Sequence, residues 1–171
     1  QVMDSTKLGQ NAKMLKPICG NTLKQILAKL GFQNWRIDIS KYLPPSEAKS
    51  TMFVGVDVSH DKLLKGVYGA SRGRRSTVGF TASRNDTYHA YNSYISYQDP
   101  DTEFITEAKR LMTSALDDFY AENKRHPTSI VVYRDGVGDS QLTTFVRQEI
   151  NLYKEAFEAK NLDIKLTVIV V

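Results

Sequence analysis

Val131-Val-Tyr-Arg-Asp-Gly-Val-Gly-Asp-Ser-Gln141 is an apolar, β-branched run that leads straight into Arg134-Asp135-Gly136. That order puts a carboxylate at the carboxyl end of a buried strand, just before a glycine-rich turn. Met52-Phe-Val-Gly-Val-Asp57-Val58 goes further and puts an acid inside the apolar run itself. A strand this apolar is expected to be buried on both faces. An ionised carboxylate there is costly unless a partner pairs with it or a cation binds it. Two such acids on two strands point to a divalent-metal site.

Working outward, the chain alternates strand and helix signals. Residues 20–31 read as a short helix, with Asn21 as N-cap, an apolar stripe of Leu23, Ile26, Leu27 and Leu30, and Gly31 closing the end. Trp35–Ile39 reads as a short extended piece. Leu43-Pro-Pro-Ser-Glu-Ala-Lys-Ser50 is expected to break regular structure and mark a boundary, since proline cannot donate to a ladder. Strands are expected at 52–58, 76–83 and 88–97, with Asn85-Asp86 as the turn between the last two. A helix over 102–123 carries Ile105, Ala108, Leu111, Met112, Ala115, Leu116 and Phe119 at helical spacing. Strand 129–134 follows, then a helix over 140–160 capped by Asp139, with Leu142, Phe145, Val146, Ile150, Tyr153 and Phe157 on one stripe, and a last strand over 164–171. A hairpin followed by right-handed crossovers gives a mixed α/β sheet of five strands with flanking helices. In it, strands 52–58 and 129–134 should be parallel neighbours.

The chain has 171 residues, 41% hydrophobic and 25% charged, the composition of a globular domain with a sizeable core. Its net charge of +4 suits a polyanionic partner. Lys62, Lys65, Arg72, Arg74 and Arg75 concentrate that charge in one stretch, which reads equally as a solvated loop or a nucleic-acid contact. Cys19 is the single cysteine, which excludes an intrachain disulfide and fits a reducing compartment. No apolar run approaches the roughly 18 residues needed to cross a bilayer. Nor does the polar amino terminus read as a signal peptide. Gln1 opens without a methionine, and Leu166–Val171 ends within what reads as a central strand, so the chain is expected to be a truncated piece of a longer protein.

Three stretches resemble one family. Tyr133-Arg-Asp-Gly-Val-Gly-Asp-Ser-Gln-Leu142 resembles the signature of the PIWI domain of Argonaute proteins, in the form of the Piwi branch. Val54-Gly-Val-Asp-Val-Ser-His-Asp61 resembles that domain's first catalytic strand, and Arg75-Ser-Thr-Val-Gly-Phe-Thr-Ala-Ser83 the hairpin strand after it. The resemblance implies a ribonuclease H-like fold for residues 50–171, the N-terminal part of a PIWI domain. It implies that residues 1–49 are the C-terminal part of a MID domain and its linker.

The resemblance also implies site residues. Asp57 and Asp135 match the first and third acids of a four-residue catalytic set. Counting back from Asp135 without a gap, the second acid falls on Glu103, with Glu107 and Asp101 as alternatives. The fourth falls beyond Val171. Asp57 and Asp135 would bind magnesium or manganese, hard cations that prefer oxygen ligands. Asn21-Thr-Leu-Lys-Gln-Ile-Leu-Ala-Lys-Leu-Gly31 resembles the MID helix that holds the guide's 5′ phosphate. It puts Lys29 and Gln25 on one face of that pocket, with Gln1 as a further contact; Phe32 departs from the family's second glycine. The remaining candidates carry less chemistry. His60 reads equally as a packing residue or a ligand, while His89 and His126 read as surface residues and Asp139 as an N-cap.

The implied activity is small-RNA-guided binding and cleavage of complementary RNA in gene or transposon silencing. The implied partners are a guide RNA, a target RNA and the rest of the Argonaute chain, without a membrane, in cytoplasm or nucleus. One alternative is a guide-binding silencing factor that does not cut. Another is a different ribonuclease H-like nuclease, which the Lys29 motif argues against.

Overall fold

The structure is a computed structural model. It describes residues 12–32, 38–39, 41–60, 75–100, 102–135 and 142–171, with side chains left out at 12–14, 48–49 and 142–145. The chain divides into two compact units, Gln1–Ile37 and Asp38–Val171.

The first unit is built on helix α1 (Ala12–Lys29). It begins well before the expected start, so Asn21 is an interior residue rather than an N-cap. The helix passes through Pro17, whose fixed φ suits it and whose missing N–H costs one intrahelical bond. Its end is as expected. Gly31 adopts φ +80°, a conformation that favours glycine, and donates to Ala28 O, while Phe32 donates to Leu27 O. Trp35, Ile37 and the rest of 33–37 lie outside the described residues.

The second unit opens with a short helix, α2 (Pro45–Ser50), where a break was expected. Pro45 sits at the start of the helix, where its N–H has no partner to lose, so the prolines initiate a helix here. Five strands follow: β1 (Thr51–His60), β2 (Ser76–Ser83), β3 (Tyr91–Gln98), β4 (Ser129–Arg134) and β5 (Lys165–Val170), joined by α3 (Ala108–Asn123) and α4 (Leu142–Glu158). They form one sheet in the order β3-β2-β1-β4-β5. The β1–β2 and β2–β3 pairs are antiparallel, while β1–β4 and β4–β5 are parallel, which is the mixed sheet expected. Among the described residues β5 is an edge strand, although its apolar run reads as central.

One face of the sheet carries the core. Met52, Val54, Val56, Val78, Phe80, Ile130 and Val132 pack with Leu111, Met112, Leu116 and Phe119 of α3 and with Tyr153, Ala156 and Phe157 of α4. Each Val, Leu, Ile, Met or Phe side chain among them contributes about 1.5–3 kcal/mol when removed from water. The other face is open among the described residues. Burial along β1 alternates, with Met52, Val54, Val56 and Val58 buried and Asp57 and Ser59 exposed. The expected burial of β1 on both faces is therefore not observed in this chain, and the apolar run covers the core from one side only.

Helix α3 starts at Ala108, six residues later than expected. The reason lies in four main-chain groups of residues 102–106. Thr102 O accepts from the Gln98 amide, and Thr106 N donates to Gln98 Oε1 at 3.4 Å. Glu103 O accepts from Arg134 Nη2 at 2.7 Å, and Ile105 N donates to Glu149 Oε1 at 3.1 Å. Side chains from β3, β4 and α4 thus hold the segment in an irregular path that competes with helical bonds. Ile105 is still fully buried, so its place in the apolar stripe is kept without helical geometry.

Candidate metal centre

The later half of β1 and the carboxyl end of β4 bring Asp57 and Asp135 to one cleft. Val56 pairs with Arg134 in the parallel register, and Asp135 N donates to Val56 O at 3.0 Å, which carries the ladder one step further. Asp57 and Asp135 follow directly on adjacent strands, and alternation turns both from the core toward the open face. Both are exposed and both line one cleft of about 470 Å³. Burial cost therefore does not force a partner on Asp57 in this chain. Proximity of two like charges on neighbouring strands is the electrostatic feature that remains.

The cleft floor is shaped by two glycines. Gly79 lies directly across from Asp57 in the β1–β2 register, and Gly55 lies across from Thr81. A Cβ at Gly55 would come within 3.2 Å of the Thr81 methyl, tighter than ordinary contact. With no side chains at 55 and 79, the floor beside Asp57 stays open. Oxygen donors converging on an open, solvent-reached cleft suit a magnesium or manganese ion that retains waters. Among the described residues, no group of three or more His, Cys, Asp or Glu side chains is placed to hold a metal ion.

Glu103 is not brought into the cleft. Its Oε1 lies 2.6 Å from His60 Nε2, and His60 Nδ1 lies 2.8 Å from Ser76 Oγ. His60 and Ser76 are register partners on the core side of the sheet, like Val58 and Val78. The Glu103 carboxylate thus sits on the other side of the sheet from the exposed acids. Its main chain is closer, because the Arg134 guanidinium bonds both Glu103 O and Asp135 O. Glu107 is engaged elsewhere, accepting from Arg110 Nε at 2.6 Å.

Sequence reasoning missed Glu149. This residue is 2% exposed, and its carboxylate meets Arg134 Nε at 3.1 Å and Nη2 at 3.3 Å. Burial pushes its carboxyl above the ordinary range, against the pull of the Arg134 guanidinium. The signal was present: Glu149 falls on the apolar stripe of α4 between Val146 and Tyr153, the same anomaly that drew attention to Asp57.

In the first unit, Gln25 and Lys29 lie one turn apart on α1, and both are exposed. Gln1, Asp101, Asp139, Lys62, Lys65, Arg72 and Arg74 fall outside the described residues, and Arg75 is exposed. His89 shares a local network with Asn85 and Thr87, and His126 stacks on Tyr120.

Comparison with known proteins fits this arrangement. Piwi-like protein 1 of Gallus gallus is 34% identical over 149 residues, 86% of this chain and 16% of that protein. Piwi-like protein Ago3 of Bombyx mori is 32% identical over 157 residues, 92% of this chain and 15% of that protein. The chain thus spans about a sixth of the length of these curated relatives. Among solved structures, Kluyveromyces polysporus Argonaute with a guide RNA superposes with a TM-score of 0.73 at 23% identity, over 88% of this chain and 17% of that one. Drosophila Piwi superposes with a TM-score of 0.68 at 23% identity, over 99% of this chain and 21% of that one. At that identity the structures show the fold, which is the PIWI-domain sheet. A profile of the Piwi domain matches residues 1–171, and the chain therefore belongs to the Piwi domain family.

Proposed function

We propose that this chain is part of a Piwi-type Argonaute that uses a small guide RNA to bind complementary RNA and cut it, in the cytoplasm or nucleus. The observation that carries the reading is the placement of Asp57 and Asp135 at adjacent positions of parallel strands, in one open cleft, in a chain of this family. A bound magnesium or manganese ion supplies Lewis-acid stabilisation of attacking and leaving oxygens in phosphodiester hydrolysis. Asp57 and Asp135 would hold it. The two strands fix their spacing, and Gly55 and Gly79 leave room for a phosphodiester beside them. Glu103 is the proposed second acid of the catalytic set, beside Asp57 and Asp135. Residues 1–49 form the end of the MID domain in this reading, with Lys29 and Gln25 on the face offered to the guide's 5′ phosphate and Gln1 as a further contact.

The test uses the full-length protein with a guide, a matched target and magnesium. Asp57→Ala and Asp135→Ala should each abolish cutting and leave guide binding intact. Full cutting by either variant would refute the mechanism. One observation favours a second reading, a guide-binding silencing factor without cleavage: Glu103 is turned to His60, and the described acids number two in the cleft. No cutting by the unmutated protein, with target binding retained, would favour it.

A further inference from the structure

We propose that Arg134 and Glu149 are positioning residues that lock the main chain at Asp135 and Glu103 into one geometry. The inference rests on the metal-site reading above. Arg134 is bonded to the main chain of both Asp135 and Glu103. It precedes Asp135 in sequence, and its side chain turns to the core face while Asp135 turns to the cleft. One guanidinium donates to Asp135 O and, at 2.7 Å, to Glu103 O. The remaining contacts fix the guanidinium itself. Glu149 receives Arg134 Nε at 3.1 Å and takes Ile105 N–H at 3.1 Å on its other oxygen. A single buried ion pair therefore ties the end of β4, helix α4 and the segment that precedes α3.

A purely structural role fits these facts less well. Buried ion pairs are weak stabilisers, and well-packed apolar replacements of similar volume are often neutral or better. A pair retained for stability alone would not need its guanidinium to grip the main-chain oxygens of two proposed acids, nor its carboxylate to hold the Ile105 N–H two residues on from Glu103. Fixing a carboxylate's main chain matters for chemistry because a displacement of about 1 Å can cost roughly a hundredfold in rate. Removal of the residues that orient ligands typically costs about tenfold to a hundredfold in metal affinity.

The discriminating variant is Arg134→Met combined with Glu149→Leu in the full-length, guide-loaded protein. It removes both charges together, so no buried charge is orphaned. Loss of partners for Ile105 N–H and Glu103 O should lower the melting temperature, but the variant should still fold and bind target. Manganese affinity, read by calorimetry, should fall about tenfold to a hundredfold, with cleavage falling in step. Unchanged manganese affinity in the folded double variant would overturn the proposal. Should that variant fail to fold, Glu149→Gln keeps the volume and an acceptor for Ile105 N–H, and it should show a smaller loss of manganese affinity. Unchanged affinity there would overturn the proposal equally. Asp57→Ala in the same titration separates the two levels. If Asp57→Ala binds manganese normally, the metal reading itself is wrong; if it does not bind while the double variant does, only the positioning role is wrong.

Discussion

Removing the charge of Asp57 should raise the stability of the metal-free chain and lower that of the metal-loaded one. Asp57 and Asp135 each follow by one residue the register pair Val56 and Arg134, on strands that lie about 4.8 Å apart. Two carboxylates about 5–6 Å apart in an exposed cleft repel by roughly 0.8 kcal/mol in a water-like dielectric. Asp57→Asn keeps the shape and deletes that repulsion. It touches nothing in the core, since Asp57 is exposed and faces away from it. Without metal the variant should gain about 0.5–1 kcal/mol, or roughly 1–4 °C in Tm for a chain of this size. With manganese at about a hundred times its Kd, the unmutated chain gains about 2.7 kcal/mol and the variant very little. The order of the two melting curves should therefore reverse between chelator and manganese, as followed by circular dichroism of the 171-residue chain. A variant that melts lower in chelator would mean that Asp57 holds the fold together. A variant that keeps the full rise with manganese would place the metal elsewhere.

Lys29→Ala in the full-length protein should weaken a 5′-phosphorylated guide by about 1.5–3 kcal/mol. The same guide without the phosphate should be indifferent, and equal losses would assign Lys29 another contact. His60→Ala should free the Glu103 carboxylate from its 2.6 Å partner and strengthen manganese binding, since the Glu103 main chain already shares the Arg134 guanidinium with Asp135. Unchanged affinity would show that the side chain cannot reach the cleft from this segment. Glu149 gives a pH dependence. Its folded carboxyl titrates above the ordinary 4.5, so its linkage contribution is fully present below that value and lost as pH rises through the folded one. Glu149→Gln cannot titrate and should gain on the unmutated chain from acid to neutral pH in urea unfolding; a constant difference would contradict the shift.

The sheet was legible because its strands announce themselves twice, by apolar runs and by alternation. Val78, Phe80 and Ala82 alternate in the sequence and are buried in β2, together with Ser76 and Ser83. Strand 129–134 was read to the residue, since its apolar run leads straight into Arg134-Asp135. The helix starts were less legible. The apolar stripe of α3 runs back to Ile105, and periodicity alone cannot reveal that Gln98, Arg134 and Glu149 have taken main-chain groups of residues 102–106. Propensity rules see Pro17 as a stop and Pro44-Pro45 as a break. In the structure Pro17 and Pro45 lie in helices, Pro17 at a tolerated cost and Pro45 where the missing N–H costs nothing, with Pro44 as the N-cap.

The site shows the same division between local and distant information. The convergence of Asp57 and Asp135 follows from strand order, and strand order follows from the pattern of elements. Which face Asp57 takes does not follow from its own strand, because an apolar run with one acid is compatible with burial on either side. The register settles it: Asp57 shares its face with Gly55 and Gly79, while His60 shares the opposite face with Ser76. Glu103 is the harder case, because its direction depends on residues 43 positions earlier and 31 later, His60 and Arg134. A glutamate whose carbonyl is tied to one acid's neighbour and whose carboxylate is tied across the sheet can be assigned to a cleft only when both ties are known. That is why the ungapped count from Asp135 could select the residue and still say nothing about where its charge lies. The Arg134–Glu149 pair, which no local motif displays as a pair, likewise ties the main chain of Asp135 to the segment before α3 only through residues distant in sequence.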